Sequence, residues 1–370
     1  MRTDLAERLG AEFPLFAFSH CRDVVAAVTG AGGFGVLGAV AYSPGELDTE
    51  LSWIDEQVGG RPYGVDVLVP AKIEGPRVNV AAFVPDRQRD FVAHLFTKYG
   101  LAAPDGGNLR AADEFAGRVT AAGATGLIDV ALKHPIGLIA SALGPPPPEM
   151  LAKARAAGVP VAALVGTVEH ARRQVAAGAD IIVAQGTEAG GHTGEISTMV
   201  LVPQVVDAVG PIPVLAAGGI ADGRQMAAAM ALGALGVWCG SVWLTTEEAE
   251  TAPAVKRKML AASSLDTVRS RSRTGKPARQ LRSAWTEEWD SAPESPGPLG
   301  MPLQMLVAEG AMARIGAAAE RGEPGAVELA NYFVGQVVGQ LKQVRPAREV
   351  VYAMVTEFAD AVERLSGMSQ

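Results

Sequence analysis

Aromatic residues are scarce in this 370-residue chain, at 5%, although 48% of it is hydrophobic. A core of stacked rings is thereby excluded, and the interior has to be built from Val, Ile, Leu and Ala. That composition suits parallel strands buried on both faces beneath Ala-rich helices. Cysteine is also nearly absent: Cys21 and Cys239 are too few for a disulfide framework. The opening stretch MRTDLAERLG is charged and holds no apolar run, so it does not read as a secretory leader. A reducing cytoplasm is the expected location. No apolar run reaches the length that crosses a bilayer, so no membrane partner is expected. Basic residues are outnumbered, 32 to 40, for a formal net charge of −8. Nucleic acid is therefore not an expected partner, because phosphate backbones are bound by basic surfaces.

What is abundant is glycine, in a recurring place. VVAAVTGAGG leads to FGVLGAV, LAKARAAG to VPVAALV, ARRQVAAG to ADIIVAQG, and MAAAMALGAL to GVWCGS. Each is an Ala-rich helix, a glycine that ends it in the left-handed conformation, and a short β-branched strand. The strands are continuous apolar runs rather than alternating ones, as burial on both faces requires. Eight are expected in order, at 13–18, 34–39, 63–69, 136–142, 159–165, 180–185, 212–217 and 236–241. Eight parallel strands with intervening helices close into a (β/α)₈ TIM barrel. An open doubly wound sheet is the alternative.

Two stretches break the repeat. Residues 71–125 are long for a strand–helix connection and carry a helix-like segment, PDRQRDFVAHLFTKYG. Residues 246–345 are polar and rich in Pro and charge, and read as a helical subdomain or lid inserted after strand eight. The barrel is expected to occupy 1–245, completed by a C-terminal helix over 346–370. That helix repeats Val351, Met354, Val355, Phe358, Val362 and Leu365 at helical spacing, which predicts an apolar face packed on the barrel. The last helix or the lid is also a candidate homodimer contact.

The first constellation with chemical content is IPVLAAGGIADGRQ followed by GVWCGS. Strand seven ends in Gly218-Gly219, Asp222 and Gly223 open a helix, and strand eight ends in Gly240-Ser241. In barrels of this kind the loops after strands seven and eight, with an adjacent helix N-terminus, form a phosphate cradle. The plainer alternative is that the glycines merely turn the chain. The second constellation is AQGTEAGGHTGE, directly after strand six, where Gly190, Gly191 and Gly194 surround His192. An imidazole there accepts or supplies a proton near neutral pH. The bland alternative is a histidine that holds a loop. His20, after strand one, is a second candidate beside the substrate. His94 and His170 lie in helix-like segments and read as surface residues, and His134 precedes strand four, on the wrong rim.

Two decoys fail on context. Gly30-Ala31-Gly32-Gly33-Phe34-Gly35 fits G-x-G-x-x-G but follows a helix and precedes a strand, the reverse of a dinucleotide site. TGKP at 274–277 lacks the rest of a P-loop. The surrounding RSRSRTGKPARQLR (269–282) is basic within an acidic chain. It reads either as an attractor of an anionic ligand or, more plainly, as a solvated face. No metal site is expected.

AQGTEAGGHTGE, the PQVVDAV helix, PVLAAGGIADGRQMAAAMALGALGV and TGKPARQLR resemble nitronate monooxygenases, formerly called 2-nitropropane dioxygenases. The resemblance runs over most of the chain and is densest over 180–245. A related branch, the FMN-dependent enoyl-acyl-carrier-protein reductases, shares the glycine-histidine loop. The resemblance implies FMN held non-covalently, its phosphate on Gly218, Gly219, Gly240 and Ser241, with Gln185, Gly190 and Gly191 also at the cofactor. It implies that His192 faces the substrate and, where a neutral nitroalkane is accepted, serves as base on the α-carbon. The activity implied is oxidation of an alkyl nitronate with O₂ to a carbonyl compound and nitrite. Two positions depart from the family. Strand one ends Phe16-Ala17-Phe18-Ser19-His20 where a Gln-Gly-Pro-Met-like stretch is usual, which puts Phe18 by the flavin. Strand three offers Asp66 where the family presents an Asn. The rival readings are an NAD(P)H-dependent FMN reductase of an activated C=C bond and a barrel that binds a phosphorylated ligand without redox chemistry.

Overall fold

A computed structural model describes residues 2–68, 83–102, 121–142 and 144–368. In chain order its strands are β1 (Leu15–Ser19), β2 (Phe34–Gly38), β3 (Gly64–Leu68), β4 (Leu138–Ala142), β5 (Val161–Val165), β6 (Ile181–Gln185), β7 (Gly191–His192), β8 (Val214–Ala217), β9 (Val237–Cys239), β10 (Thr267–Ser270) and β11 (Ala278–Leu281). Eight of them close into a parallel barrel in the order β1-β2-β3-β4-β5-β6-β8-β9, with β9 returning to β1 through Phe16 opposite Trp238. All eight expected strands are there, with ends within two residues of the expected ones. The residue alternation explains why. Phe16, Phe34, Val36, Leu138, Ala140, Ile181, Val183, Leu215 and Trp238 pack together inside the barrel. Their neighbours Leu15, Ala17, Ile182, Val214 and Val237 turn outward and pack with the surrounding helices. Both faces are apolar because both are buried.

The remaining strands form a small antiparallel sheet, β10-β11-β7, with Ala278 opposite His192 and Arg279 opposite Gly191. The 246–345 segment is therefore not wholly helical: it carries β10 and β11, and β11 reaches back to pair with the loop after β6. The basic segment 269–282 supplies those strands, and Arg273 and Arg279 are buried. Arg271, Lys276 and Arg282 are exposed, so the plainer expectation of a solvated face is corrected at Arg273 and Arg279 alone. The two arginines lie inside because each has acceptors there, as burial of a guanidinium requires.

A second hydrophobic body sits above the barrel mouth. Phe91, Leu95 and Phe96 of the helix Asp86–Lys98 pack with Val255 and Met259 of the helix Pro253–Ala261. Trp285 and Trp289 of the helix Ala284–Ser291, and Ala308 and Ile315 of the helix Leu303–Glu320, complete it. Of the 71–125 stretch, the expected helix is present, while residues 71–82 and 103–120 lie outside the described residues. The C-terminal helix Ala347–Gly367 buries Ala347, Val350, Val351 and Met354 against the barrel's outer layer. Cover thins toward its end: Phe358 and Ala361 still pack inward, while Val362 and Leu365 are exposed. Among the described residues no helix is long and apolar enough to cross a membrane.

Candidate active site

The carboxyl ends of the barrel strands open into a cavity of about 1100 Å³ beneath the second hydrophobic body. It is lined by Phe18, His20, Asp66, Gln185, Gly190, Gly191, His192, Gly218, Gly219, Gly240 and Ser241, while Asp222 and Gly223 of the expected cradle lie outside the lining.

One end is a set of backbone donors. Gly218 and Gly219 have φ of 92° and 72°, a conformation that L side chains rarely adopt. A Cβ on Gly218 would come within 3.0 Å of Ala189. The N–H groups of Gly218, Gly219, Ile220, Gly240 and Ser241 have no acceptor among the described residues. The Ser241 hydroxyl accepts from the Gly335 N–H at 2.8 Å, which leaves its own proton to donate. Gly240 keeps open space where a Cβ would be, its nearest neighbour 3.9 Å away on Phe18. These groups fit a phosphate, for which convergent N–H donors and a free hydroxyl are the physical need.

The helix Gly223–Ala231 does not contribute its N-terminus, contrary to expectation. Asp222 accepts from Gln225 N at 2.9 Å, and Gln225 Oε1 accepts from Ala221 N at 2.7 Å and Asp222 N at 3.2 Å. Glu357 of the C-terminal helix takes Gly223 N at 2.9 Å. With these donors satisfied by carboxylate and amide, the uncommitted N–H groups here are those of the glycine turns.

His192 stands on β7, in the loop that follows β6. Its Nδ1 lies 3.4 Å from the Pro277 carbonyl, so in the neutral ring Nδ1 donates and Nε2 keeps a free lone pair. Burial lowers its pKa, the Pro277 hydrogen bond opposes this, and the positive charge of Lys276 lowers it further. The loop is clamped from the basic segment. Arg279 Nε donates to Thr187 O at 2.8 Å, and Arg269 to Thr193 O at 3.2 Å. At the loop's base, Glu188 accepts from Thr198 N at 3.0 Å and from its hydroxyl at 2.9 Å.

The opposite wall comes from β1 to β3. Phe18 stacks on Trp238 and meets the His20 ring edge-on, with centroids 5.1 Å apart. His20 Nδ1 donates to the Gly38 carbonyl at 3.0 Å. Gly38 makes this possible, because a Cβ there would lie 2.5 Å from that nitrogen. His20 lines the cavity with part of its surface exposed, and desolvation of the ring lowers its pKa. Asp66 is opposite Gly38 and Ala140 in the barrel register. Its carboxyl has no hydrogen-bond partner among the described residues, and burial pushes its pKa up to about 7.

The cavity lining also takes in His170, expected on the surface and exposed at the cavity, and Arg273 and Lys276 of the basic segment, which were not assigned to this site. Lys276 stands beside the Pro277 carbonyl and makes no ion pair among the described residues. Arg273 donates to Asn331 Oδ1 at 2.9 Å and lies over the Phe333 ring, 5.1 Å from its centroid. The TGKP signal was visible, but nothing in it showed which loop it would meet. His134, as expected, is away from the cavity, bound to Asp55 at 2.7 Å and Asp48 at 3.3 Å. The ligating atoms of Cys21, Asp23 and Glu250 fall within 4.8 Å of one another at the cavity edge. The Cys21 thiol donates to Glu248 O at 3.1 Å, and burial raises its pKa.

The nitronate monooxygenase family model matches residues 17–357. A Mycobacterium tuberculosis protein, Rv1533, assigned by name alone as a monooxygenase, is 61% identical over 378 residues and covers all of both chains. A second M. tuberculosis protein, named as a dehydrogenase of a hydroxy-methyl-oxo-octahydroindene-carboxyl-CoA, is 30% identical over 303 residues, 80% of this chain and 71% of that one. The structure of a nitroalkane oxidase from Streptomyces ansochromogenes superposes with a TM-score of 0.78 at 27% identity, covering 98% of this chain and 100% of that one.

Proposed function

Because the chain belongs to the nitronate monooxygenase family of flavin-dependent enzymes, we propose that it binds FMN and oxidises alkyl nitronates with O₂ to a carbonyl compound and nitrite. The observation that carries the reading is His192, anchored through Nδ1 to Pro277 and with its pKa lowered by burial, in the same cavity as an uncommitted set of N–H donors. FMN, when bound, supplies the electron acceptor and the route to oxygen.

The residues of the chain do the rest. Gly218, Gly219, Gly240 and Ser241 hold the phosphate through backbone N–H groups and one hydroxyl. Pro277 fixes the His192 tautomer, so that Nε2 is the atom that takes the α-proton of a neutral nitroalkane. Lys276 sets a positive charge beside the anionic nitronate and helps to keep His192 unprotonated. Asp66, whose pKa lies near 7, adds little negative charge below neutral pH, which favours an anionic substrate in the cavity. Phe18 and Trp238 provide an apolar floor that keeps water away from the reacting carbon.

The test is oxygen uptake and nitrite release from propyl-2-nitronate by the purified protein, without NAD(P)H. Yellow protein that releases nitrite supports the reading. Protein that stays colourless after incubation with FMN refutes it.

A second reading is an FMN-dependent dehydrogenase or reductase of an acyl-CoA thioester, which the likeness to the carboxyl-CoA dehydrogenase favours. Rapid NAD(P)H oxidation that depends on an unsaturated CoA thioester, with no nitrite from any nitronate, would select it.

A further inference from the structure

The helix Leu303–Glu320, LQMLVAEGAMARIGAAAE, is apolar nearly all round, a pattern that calls for cover on every side. One side has it: Ala308, Ala311, Ile315, Ala318 and Ala319 pack into the second hydrophobic body. The other side presents Met305, Met312 and Gly316 to the cavity. A Cβ added at Gly316 would meet nothing within 4 Å. Met301 and Val337 extend this apolar wall. The one carboxylate on it, Glu309, lies 3.4 Å from Arg273.

Size points the same way. About 1100 Å³ exceeds the roughly 300–1,000 Å³ of a site for one drug-sized ligand. FMN is of that size, and a three-carbon nitronate adds only a handful of atoms. Water does not settle comfortably in the remainder, because a stable buried water needs several polar partners and thioethers are poor ones. Methionines adapt their shape to flexible apolar guests.

We propose that the substrate carries a medium-chain aliphatic body, seated between the helix Leu303–Glu320 and the barrel mouth, with its anionic head at Lys276. The proposal rests on reading the cavity as the oxidation site, and it names the substrate class of that site as larger than the small nitroalkanes.

The test is calorimetric titration of the purified protein, with and without added FMN, with propanoate, hexanoate and decanoate, and with decanol. None of these turns over. Affinity should rise along the acids by up to about fourfold for each methylene buried, and decanoate should bind more tightly than decanol. Gly316→Leu places a side chain in the compartment while favouring the helix, so the rise along the series should collapse in it. Retained flavin content and an unchanged urea midpoint check that this variant is folded. A flat series in the parent protein, or one undiminished in Gly316→Leu, overturns the proposal. Failure here and failure of the nitronate reading are distinguishable. Decanoate binding without nitrite from any nitronate removes only the activity, and nitrite from a short nitronate with a flat series removes only the compartment.

Discussion

Replacing Asp66 with Asn should make the protein less sensitive to rising pH, by an amount that follows from where the carboxyl sits. It lies at the top of the barrel interior between Gly38 and Ala140, without a hydrogen-bond partner among the described residues, and its pKa is pushed from 3.8 to about 7 by burial. The folded state therefore holds this proton at pH values where the unfolded chain has released it. The stability so gained is fully present below the unfolded value and is lost as pH rises through the folded one. At ~1.36 kcal/mol per pH unit, the whole loss is about 4 kcal/mol, of which about 2–3 kcal/mol falls between about pH 5 and about pH 8. Urea unfolding of the parent and of Asp66→Asn at those two pH values measures it. The double difference cancels any pH-independent cost of placing an amide on an apolar floor. Parallel pH dependences in the two proteins would show that Asp66 ionises freely in the native state, and the account of its environment would be wrong.

Other outcomes follow from the same geometry. His192→Asn should keep the bound flavin and lower turnover of neutral nitroalkanes by roughly 10²–10⁴-fold, with a smaller effect on preformed nitronates; equal losses on both would remove the proton-transfer role. Lys276→Gln should raise KM for the anionic substrate and raise the pKa on the acid limb of the rate profile, because a positive charge beside His192 is gone; an acid limb that stays put would refute the coupling. Gly240→Ala meets only open space, so it should leave the urea midpoint unchanged while weakening FMN binding, and unchanged affinity would move the phosphate elsewhere. Trp289→Ala should cost about 3–5 kcal/mol by emptying the centre of the second hydrophobic body, read as a lower urea midpoint.

The barrel was legible because its strands announce themselves by continuous apolar runs and, in the four helix–glycine–strand repeats, by a glycine that stops the preceding helix as well. The site was legible where one local signal sufficed: Gly218-Gly219, Gly240-Ser241 and the glycines around His192 all line the cavity. Pairing at long range was not. Strand β7 has two residues and pairs with a segment more than eighty positions away, too short and too distant for periodicity to reveal. Arg273 and Arg279 looked like surface charge because composition cannot show that carbonyls and Asn331 wait to accept from them. The Asp222-to-Gln225 spacing was a readable cap for the helix Gly223–Ala231, and it should have counted against placing a phosphate on that helix end.

The pairing of β7 with β11 also decides how the molecule breathes. His192 takes its ring anchor from Pro277 and its backbone partner from Ala278, so any excursion that lifts the covering segment off the barrel also releases the imidazole. Opening of that segment and loss of the ordered base are then one event rather than two. Amide protons of the β7–β11 ladder should exchange with solvent at the rate at which the cover opens, not at the far slower rate at which the barrel unfolds.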